Sequence, residues 1–168
     1  LETKRLKMRN LFLFFLPLFF SCGQKKANEV TVGGLKIKPI PGLTASVVHD
    51  EFARKGFKPV KTMDGDLAVW TSTDNNEMHE FKVATRSTNA NNLISVQASA
   101  VSMLTLDQSA RDFMGTVASI QYKYADPQKA KDWVMANLDE GGNTTIGDVT
   151  FQVTVNNETS RTLKIYVQ

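Results

Sequence analysis

The side chains that could carry chemistry are few in this sequence. Its 168 residues include two histidines, His49 and His79, and a single cysteine, Cys22. A zinc site usually needs three or four histidine, cysteine or carboxylate ligands, and a single cysteine cannot form a disulfide within the chain. We therefore expect no metal site. Both histidines are interpreted as exposed, His49 on a helix and His79 at the start of a strand.

Motifs for nucleophilic or phosphate chemistry do not occur in the sequence. It lacks the G-x-S-x-G elbow, the P-loop and the glycine pattern of dinucleotide-binding proteins. Asp64 and Asp66 flank a glycine, and turn formation explains that pattern. The acidic and amide residues at positions 74–77 are too few for a calcium loop, whose bidentate glutamate lies much farther along the chain. We predict a protein that is not an enzyme and needs no cofactor.

An apolar run occupies residues 11–20, which are nine leucines or phenylalanines and Pro17. A transmembrane helix needs ~20 apolar residues, so the run is too short to cross a bilayer. A short apolar run after basic residues is typical of a cleaved secretory signal. We predict a signal peptide over residues 1–21, with the natural start at Met8 and residues 1–7 preceding it.

The basic character of the chain belongs to this leader. The chain has 20 basic and 17 acidic residues, for a formal charge of +3. Glu2, Lys4, Arg5, Lys7 and Arg9 all precede the apolar run, so the remainder has 16 basic and 16 acidic residues. A formally neutral chain without a charged stripe does not favour binding to a phosphate backbone. We therefore predict no nucleic-acid partner.

The apolar run ends in a pattern of known meaning. The segment from Phe19 through Phe20 and Ser21 to Cys22 resembles the lipobox of bacterial lipoproteins, in which a small residue precedes a cysteine. Ser21 and Cys22 match that box, whereas the two phenylalanines look like the relaxed boxes of Bacteroidetes lipoproteins. The resemblance implies that the chain is cut before Cys22, that Cys22 is acylated, and that a membrane is a partner.

The residues after the cysteine bear on localisation. Gly23 differs from the aspartate that retains enterobacterial lipoproteins in the inner membrane, which favours the outer membrane. Lys25 and Lys26 differ from the acidic run associated with surface export in Bacteroidetes, which favours the periplasmic face. Two or more acyl chains hold a protein on a bilayer stably. The resemblance thus implies a lipid-anchored protein of the bacterial cell envelope, on the outer membrane and facing the periplasm.

The remaining chain divides into a tether and one domain. Residues 22–34 are polar, lack periodicity and end in two glycines, as a flexible tether would. Residues 35–168 are predicted to form a single domain. Two prolines confine residues 35–41 to an edge strand or an extended lead-in.

Apolar residues at helical spacing predict three helices. The first covers residues 45–55, with Thr44 as its N-cap and Gly56 after its end. The second covers residues 110–121 after a capping box that begins at Ser109. The third begins at Pro127, with Asp126 as its N-cap.

Alternation of apolar and polar residues predicts the strands. They cover residues 67–73, 80–86, 93–101, 149–155 and 161–167. In the third of these, Ile94, Val96, Ala98 and Ala100 are expected to face the core, and Ser95, Gln97 and Ser99 the solvent. One solvated face is typical of antiparallel sheets. We therefore predict an α+β fold, in which a mainly antiparallel sheet of about five strands has helices packed on one face.

The candidate ligand-binding residues are aromatic. Trp70 lies on a predicted strand, and Tyr122 and Tyr124 lie in the break between two helices. The alternative for Trp70 is a place in the core. The alternative for the tyrosines is that one plugs the helix junction and the other is half exposed.

The function that these observations favour is binding rather than catalysis. The helical segment 110–134 resembles small uncharacterised bacterial lipoproteins that have no assigned activity. The order of elements resembles that of the β-lactamase-inhibitor-protein fold. We therefore expect a lipid-anchored, non-enzymatic binding or interaction module with a protein, peptide or glycan partner. The alternative is an inhibitor or accessory subunit of a periplasmic enzyme.

Overall fold

A computed structural model of the chain describes residues 29–88 and 92–168. These residues form an α+β fold with a large antiparallel sheet, as predicted. The elements in chain order are β1 (Val30–Val32), β2 (Leu35–Ile37), α1 (Ala45–Arg54), β3 (Lys58–Asp64), β4 (Leu67–Asn75), β5 (His79–Ser87), β6 (Leu93–Ser102), α2 (Gln108–Ala118), α3 (Pro127–Asn137), β7 (Gly142–Ile146), β8 (Val149–Asn157) and β9 (Ser160–Tyr166).

The large sheet is wider than predicted. In the described residues it has seven strands in the order β3-β4-β5-β6-β9-β8-β7, and neighbouring strands are antiparallel. The prediction of about five strands was wrong because it missed β3 and β7, the strands at the two edges. Every residue of β3 is exposed and β7 is mostly exposed. An edge strand with no buried face lacks the alternation by which strands are recognised.

A small hairpin precedes the large sheet in the chain. β1 pairs with β2 in antiparallel fashion, and Gly33 and Gly34 form the turn with φ angles of 56° and 83°. Two consecutive positive φ angles are what a tight hairpin turn requires, and glycine adopts them without strain. The tether predicted over residues 22–34 was expected to lack regular structure, and the structure describes its residues 29–34. Their two glycines serve instead as the turn of this hairpin.

The helix ends follow the capping chemistry of the sequence. Thr44 Oγ1 accepts a hydrogen bond from the Val47 amide at 3.3 Å, and Asp126 caps α3 as predicted. The predicted cap of α2 at Ser109 was wrong. The Asp107 carboxylate accepts from the Ala110 amide at 2.8 Å, and the helix therefore begins at Gln108.

A β-bulge near the start of β6 makes the orientation of its first side chains differ from the prediction. The pairing shifts between Arg86, which lies opposite Ser95, and Ser87, which lies opposite Leu93. The extra residue reverses the facing of the side chains before it. Leu93 is therefore buried and Ile94 only partly buried, whereas Ile94 had been expected to face the core.

The helices cover one face of the large sheet and build the core there. An aromatic cluster at its centre joins Phe52 of α1, Phe57 after α1, Phe81 of β5 and Phe113 of α2. The ring centroids of Phe113 lie 5.9 Å from Phe52, 5.8 Å from Phe57 and 4.8 Å from Phe81. Aromatic pairs at such distances add to the stabilisation from burying their area. Phe113 therefore connects α1 and the segment that follows it to β5 of the sheet.

Replacing this central ring should destabilise the fold strongly. We expect Phe113→Ala to lower the free energy of unfolding by about 3–5 kcal/mol, because it leaves a cavity among three other rings. The control is Val47→Ala, at an exposed position of α1, which should change stability by less than ~0.5 kcal/mol. Urea unfolding measures both. Similar losses for the two variants would contradict the central place of Phe113.

Candidate ligand-binding face

The face of the large sheet opposite the helices is polar, and the strand registers order its side chains into rows. One row across β4, β5, β6 and β9 consists of Thr71, Ala84, Gln97 and Lys164. The adjacent row consists of Val69, Arg86, Ser95 and Tyr166. Side chains two apart along a strand point to the same face. Lys82 therefore also lies on this face, next to Ala84.

A groove of about 550 Å³ lies over these rows. We call it the open-face groove, and it is lined by Val69, Thr71, Lys82, Ala84, Arg86, Ser95, Val96, Gln97, Lys164 and Tyr166. Ala84 explains the depression. Its methyl group stands between Lys82 and Arg86 along β5 and between Thr71 and Gln97 across the sheet. The volume falls within the ~300–1,000 Å³ that is typical of small-molecule sites.

The open-face groove is positively charged. Its charged lining residues are Lys82, Arg86 and Lys164, and none of its lining residues carries a carboxylate. Arg86 lies 3.6 Å from the Asp64 carboxylate, but both side chains are largely exposed. Exposed ion pairs of this kind contribute little to stability, so Arg86 remains available to another anionic partner. Three cations with no acidic residue among the lining make this surface attractive to anions.

Trp70 lies on the other face of the sheet. Its ring stacks on His49 with the centroids 5.6 Å apart, and Lys61 Nζ lies 5.3 Å from the ring centroid. The side chain is partly buried and packs against the core. The open-face groove does not include it.

Tyr122 and Tyr124 lie in the connection between α2 and α3, outside the groove lining. The Tyr122 hydroxyl is buried and has no hydrogen-bond partner among the described residues. Burial, and secondarily the charge of Asp126, raises the pKa of Tyr122. Tyr124 is 76% exposed and has a φ angle of 66°, and Lys123 Nζ lies 4.9 Å from its ring. Cys22, the predicted lipid-attachment residue, lies outside the described residues.

Sequence reasoning had not identified the groove residues as a site. The polar stretch around Gln97 and the alternation of Phe81 and Val83 with Lys82 and Arg86 are apparent in the sequence, but they indicate only a solvated face. Lys164 and Tyr166 lie almost 70 residues later in the chain, and they join the groove because β9 pairs with β6. Only the strand order brings them together.

His49 is buried, contrary to the sequence interpretation, with 1% of its surface exposed. Its Nδ1 lies 2.7 Å from the Ser72 hydroxyl, and its Nε2 lies 2.8 Å from the Thr85 hydroxyl. A neutral imidazole has one donor and one acceptor nitrogen, and the two hydroxyls satisfy both. Burial lowers the pKa of His49 to about 4, although the neighbouring Asp50 acts in the opposite direction.

This cluster connects α1 to β4 and β5. A hydroxyl beside an imidazole is also the arrangement that nucleophilic catalysis uses. However, Ser72 is 0% exposed, so its hydroxyl cannot contact a substrate in this structure. Its role in the described structure is to satisfy the imidazole within the core.

Two further structural features bear on function. Within residues 29–88 and 92–168, no three histidine, cysteine or carboxylate side chains are grouped so that they could hold a metal ion. In the same part of the chain, no helix has the length and apolar character needed to cross a bilayer.

Comparison with known proteins identified no relative: no family model, no curated protein and no solved structure matches this chain.

The buried imidazole should make stability depend on pH. The pKa of His49 is about 4 when folded and 6.5 in the unfolded chain, so the unfolded state binds the proton more readily. Its contribution is fully present above pH ~6.5, and we expect about 3 kcal/mol to be lost progressively as pH falls from ~6.5 to the folded pKa.

Urea unfolding between pH 7 and pH 4 measures this slope. His49→Gln should flatten it, because glutamine does not titrate. The control is Val47→Ala, at an exposed position of α1, which removes no titratable group and should leave the slope of the native protein. An unchanged slope in His49→Gln would show that other groups cause the pH dependence.

Proposed function

We propose that the protein is a lipid-anchored binding protein of the bacterial cell envelope that holds its ligand in the open-face groove. The observation that supports this proposal is the groove itself, a polar concavity with Lys82, Arg86 and Lys164 around its floor. Sites for polar ligands combine a concave shape with a few converging polar groups. Binding without chemical conversion is consistent with the lack of a catalytic motif in the sequence.

The composition of this face also favours a polar ligand over a large protein partner. Stable protein interfaces have a core depleted in charged residues and rich in aromatic ones. Here Lys82 and Arg86 flank the centre of the face, and Tyr166 is the aromatic residue of the groove. A partner that buried this face would have to desolvate both cations.

The anchor is supported by the lipobox resemblance at Cys22. The segment that leads into α1 meets the large sheet near the groove. There the Ile40 amide donates a hydrogen bond to the Leu93 carbonyl at 2.7 Å. Lys38 Nζ donates to the Gln168 carbonyl at 3.0 Å, which holds the incoming segment beside the end of β9. An anchor preceding this segment would hold the groove end of the sheet nearer to the membrane than the opposite end.

The anchor can be tested independently of the groove. We expect Cys22→Ala to abolish labelling of the chain by a fatty-acid analogue and to leave an uncleaved precursor, because the acyl chains attach to the cysteine sulfur and amino group. Labelling followed by gel electrophoresis of the envelope fraction measures both effects. The matched control is Ser102→Ala, which leaves Cys22 in place and should be labelled normally. A Cys22→Ala chain that is processed and labelled as before would refute the anchor.

An inhibitor or accessory subunit of a periplasmic enzyme is the second candidate. The observation that favours it is an apolar patch at the opposite end of the sheet, formed by Met78, Met103 and Leu104. All three side chains are more than half exposed, and the Met103 amide donates to the Met78 carbonyl at 3.0 Å. Exposed apolar patches frequently mark protein contacts.

Co-purification from the envelope of the host separates the two candidates. We expect the tagged full chain to retain a non-protein ligand that is lost in Ala84→Trp, because the indole fills the groove. Val47→Trp is the matched control, since it places the same side chain at an exposed position of α1. If Leu104→Glu instead releases a protein partner while Ala84→Trp changes nothing, the second candidate is correct and the groove is not the site.

A further inference from the structure

We propose that the ligand of the open-face groove is an acidic glycan, a chain of sugars that carry carboxylates. This inference rests on the proposed function, which assigns the groove as the binding site. The charges, the neutral polar groups and the position of the groove within the sheet each support it.

The cations are spaced along the groove rather than gathered at one point. Lys82 and Arg86 are four residues apart on β5, which places their Cα atoms about 13 Å apart. Lys164 is on β9, two strands from β5, at a lateral distance of about 10 Å. A small anion would pair with one or two of these groups. A chain with repeated carboxylates can pair with all of them, and the Arg86 guanidinium can hold a carboxylate through two parallel hydrogen bonds.

The neutral side chains between the cations match sugar hydroxyls. Thr71, Ser95 and Gln97 line the groove and offer hydroxyl and amide groups that both donate and accept hydrogen bonds. Tyr166 adds an aromatic face with a polar hydroxyl at its tip, on which the apolar face of a sugar ring can lie. Such a lining recognises a ligand with many hydroxyl groups.

The position of the groove disfavours an acidic peptide. Extended peptides usually bind by adding a strand to a sheet edge, where main-chain groups are free, with pockets for alternate side chains. The groove lies over β4, β5, β6 and β9, and each of these strands already has a neighbour on both sides. Recognition must therefore come from side chains alone, and the apolar side chains of the groove floor, Val69 and Ala84, are small.

The shape of the groove disfavours a lipid surface. Peripheral membrane binding buries a protruding apolar face between the headgroups. The open-face groove is concave, and the side chains around its floor are Lys82, Arg86 and Lys164. A flat bilayer could touch this rim but could not reach Ala84.

Binding of short oligogalacturonides to the purified full chain in neutral detergent tests the proposal by calorimetry. We expect binding that weakens as salt is raised and that falls by about tenfold or more in Ala84→Trp and in the double variant Lys82→Gln with Lys164→Gln. The double variant Lys129→Gln with Lys131→Gln, at two exposed lysines of α3, is the matched charge control and should bind as the native chain does. Thermal unfolding establishes that each variant is folded.

The comparison ligands separate failure of the glycan proposal from failure of the site. Neutral malto-oligosaccharides of equal length should bind at least about tenfold more weakly, because they lack carboxylates. If they or polyglutamate bind as tightly as the oligogalacturonides and lose binding in Ala84→Trp, the site stands and the acidic-glycan proposal is wrong. If anionic vesicles displace the oligogalacturonide from the groove, a lipid ligand replaces it. If no probe distinguishes the native chain from Ala84→Trp, both the glycan proposal and the groove as site are wrong.

Discussion

The pleat of β5 between β4 and β6 is the constraint on which the rest of the structure depends. Phe81, Val83 and Thr85 face the helices, and the intervening Lys82, Ala84 and Arg86 face solvent. A slip of one residue would place the cations in the core and the phenylalanine in water. Because Phe81 must pack against Phe113 in the core, the register of β5 is fixed. The positions of the groove residues Lys82, Ala84 and Arg86 are fixed with it.

The alternation of side chains along β4 and β5 also allows a polar residue, His49, to be buried on the helix-covered face. Ser72 and Thr85 are short side chains on neighbouring strands, and they leave space into which His49 descends from α1. Their hydroxyls replace the water that the imidazole loses on burial. Because Thr85 lies between Ala84 and Arg86 in sequence, this buried cluster and the groove floor are built on the same stretch of β5. The residues that hold His49 and the residues that form the groove floor therefore share one stretch of backbone.

The elements with strong local patterns could be predicted from the sequence, and those defined by their neighbours could not. Thr44, Gly56 and Asp126 carry capping chemistry that is independent of tertiary structure, and α1 and the start of α3 were predicted correctly. β3 has no buried residue and β7 buries only Ile146, so neither strand shows the alternation of buried and exposed residues, and only hydrogen bonding to a neighbouring strand identifies them. His49 has the same limitation, because its burial depends on Ser72 and Thr85, which are 23 and 36 residues away. The groove needs the pairing of β6 with β9, which no local pattern encodes.

The pairing of the central strands on both sides has a consequence for the rates at which the proposed ligand would exchange. Backbone that is hydrogen-bonded to two neighbours opens only at a cost close to that of unfolding, so the groove presents its side chains without prior rearrangement of the sheet. For the proposed ligand, association would then need no slow conformational step, and its rate would be set by diffusion and by attraction between the cations and the ligand. Ligands of different affinity would therefore differ mainly in how long they stay bound.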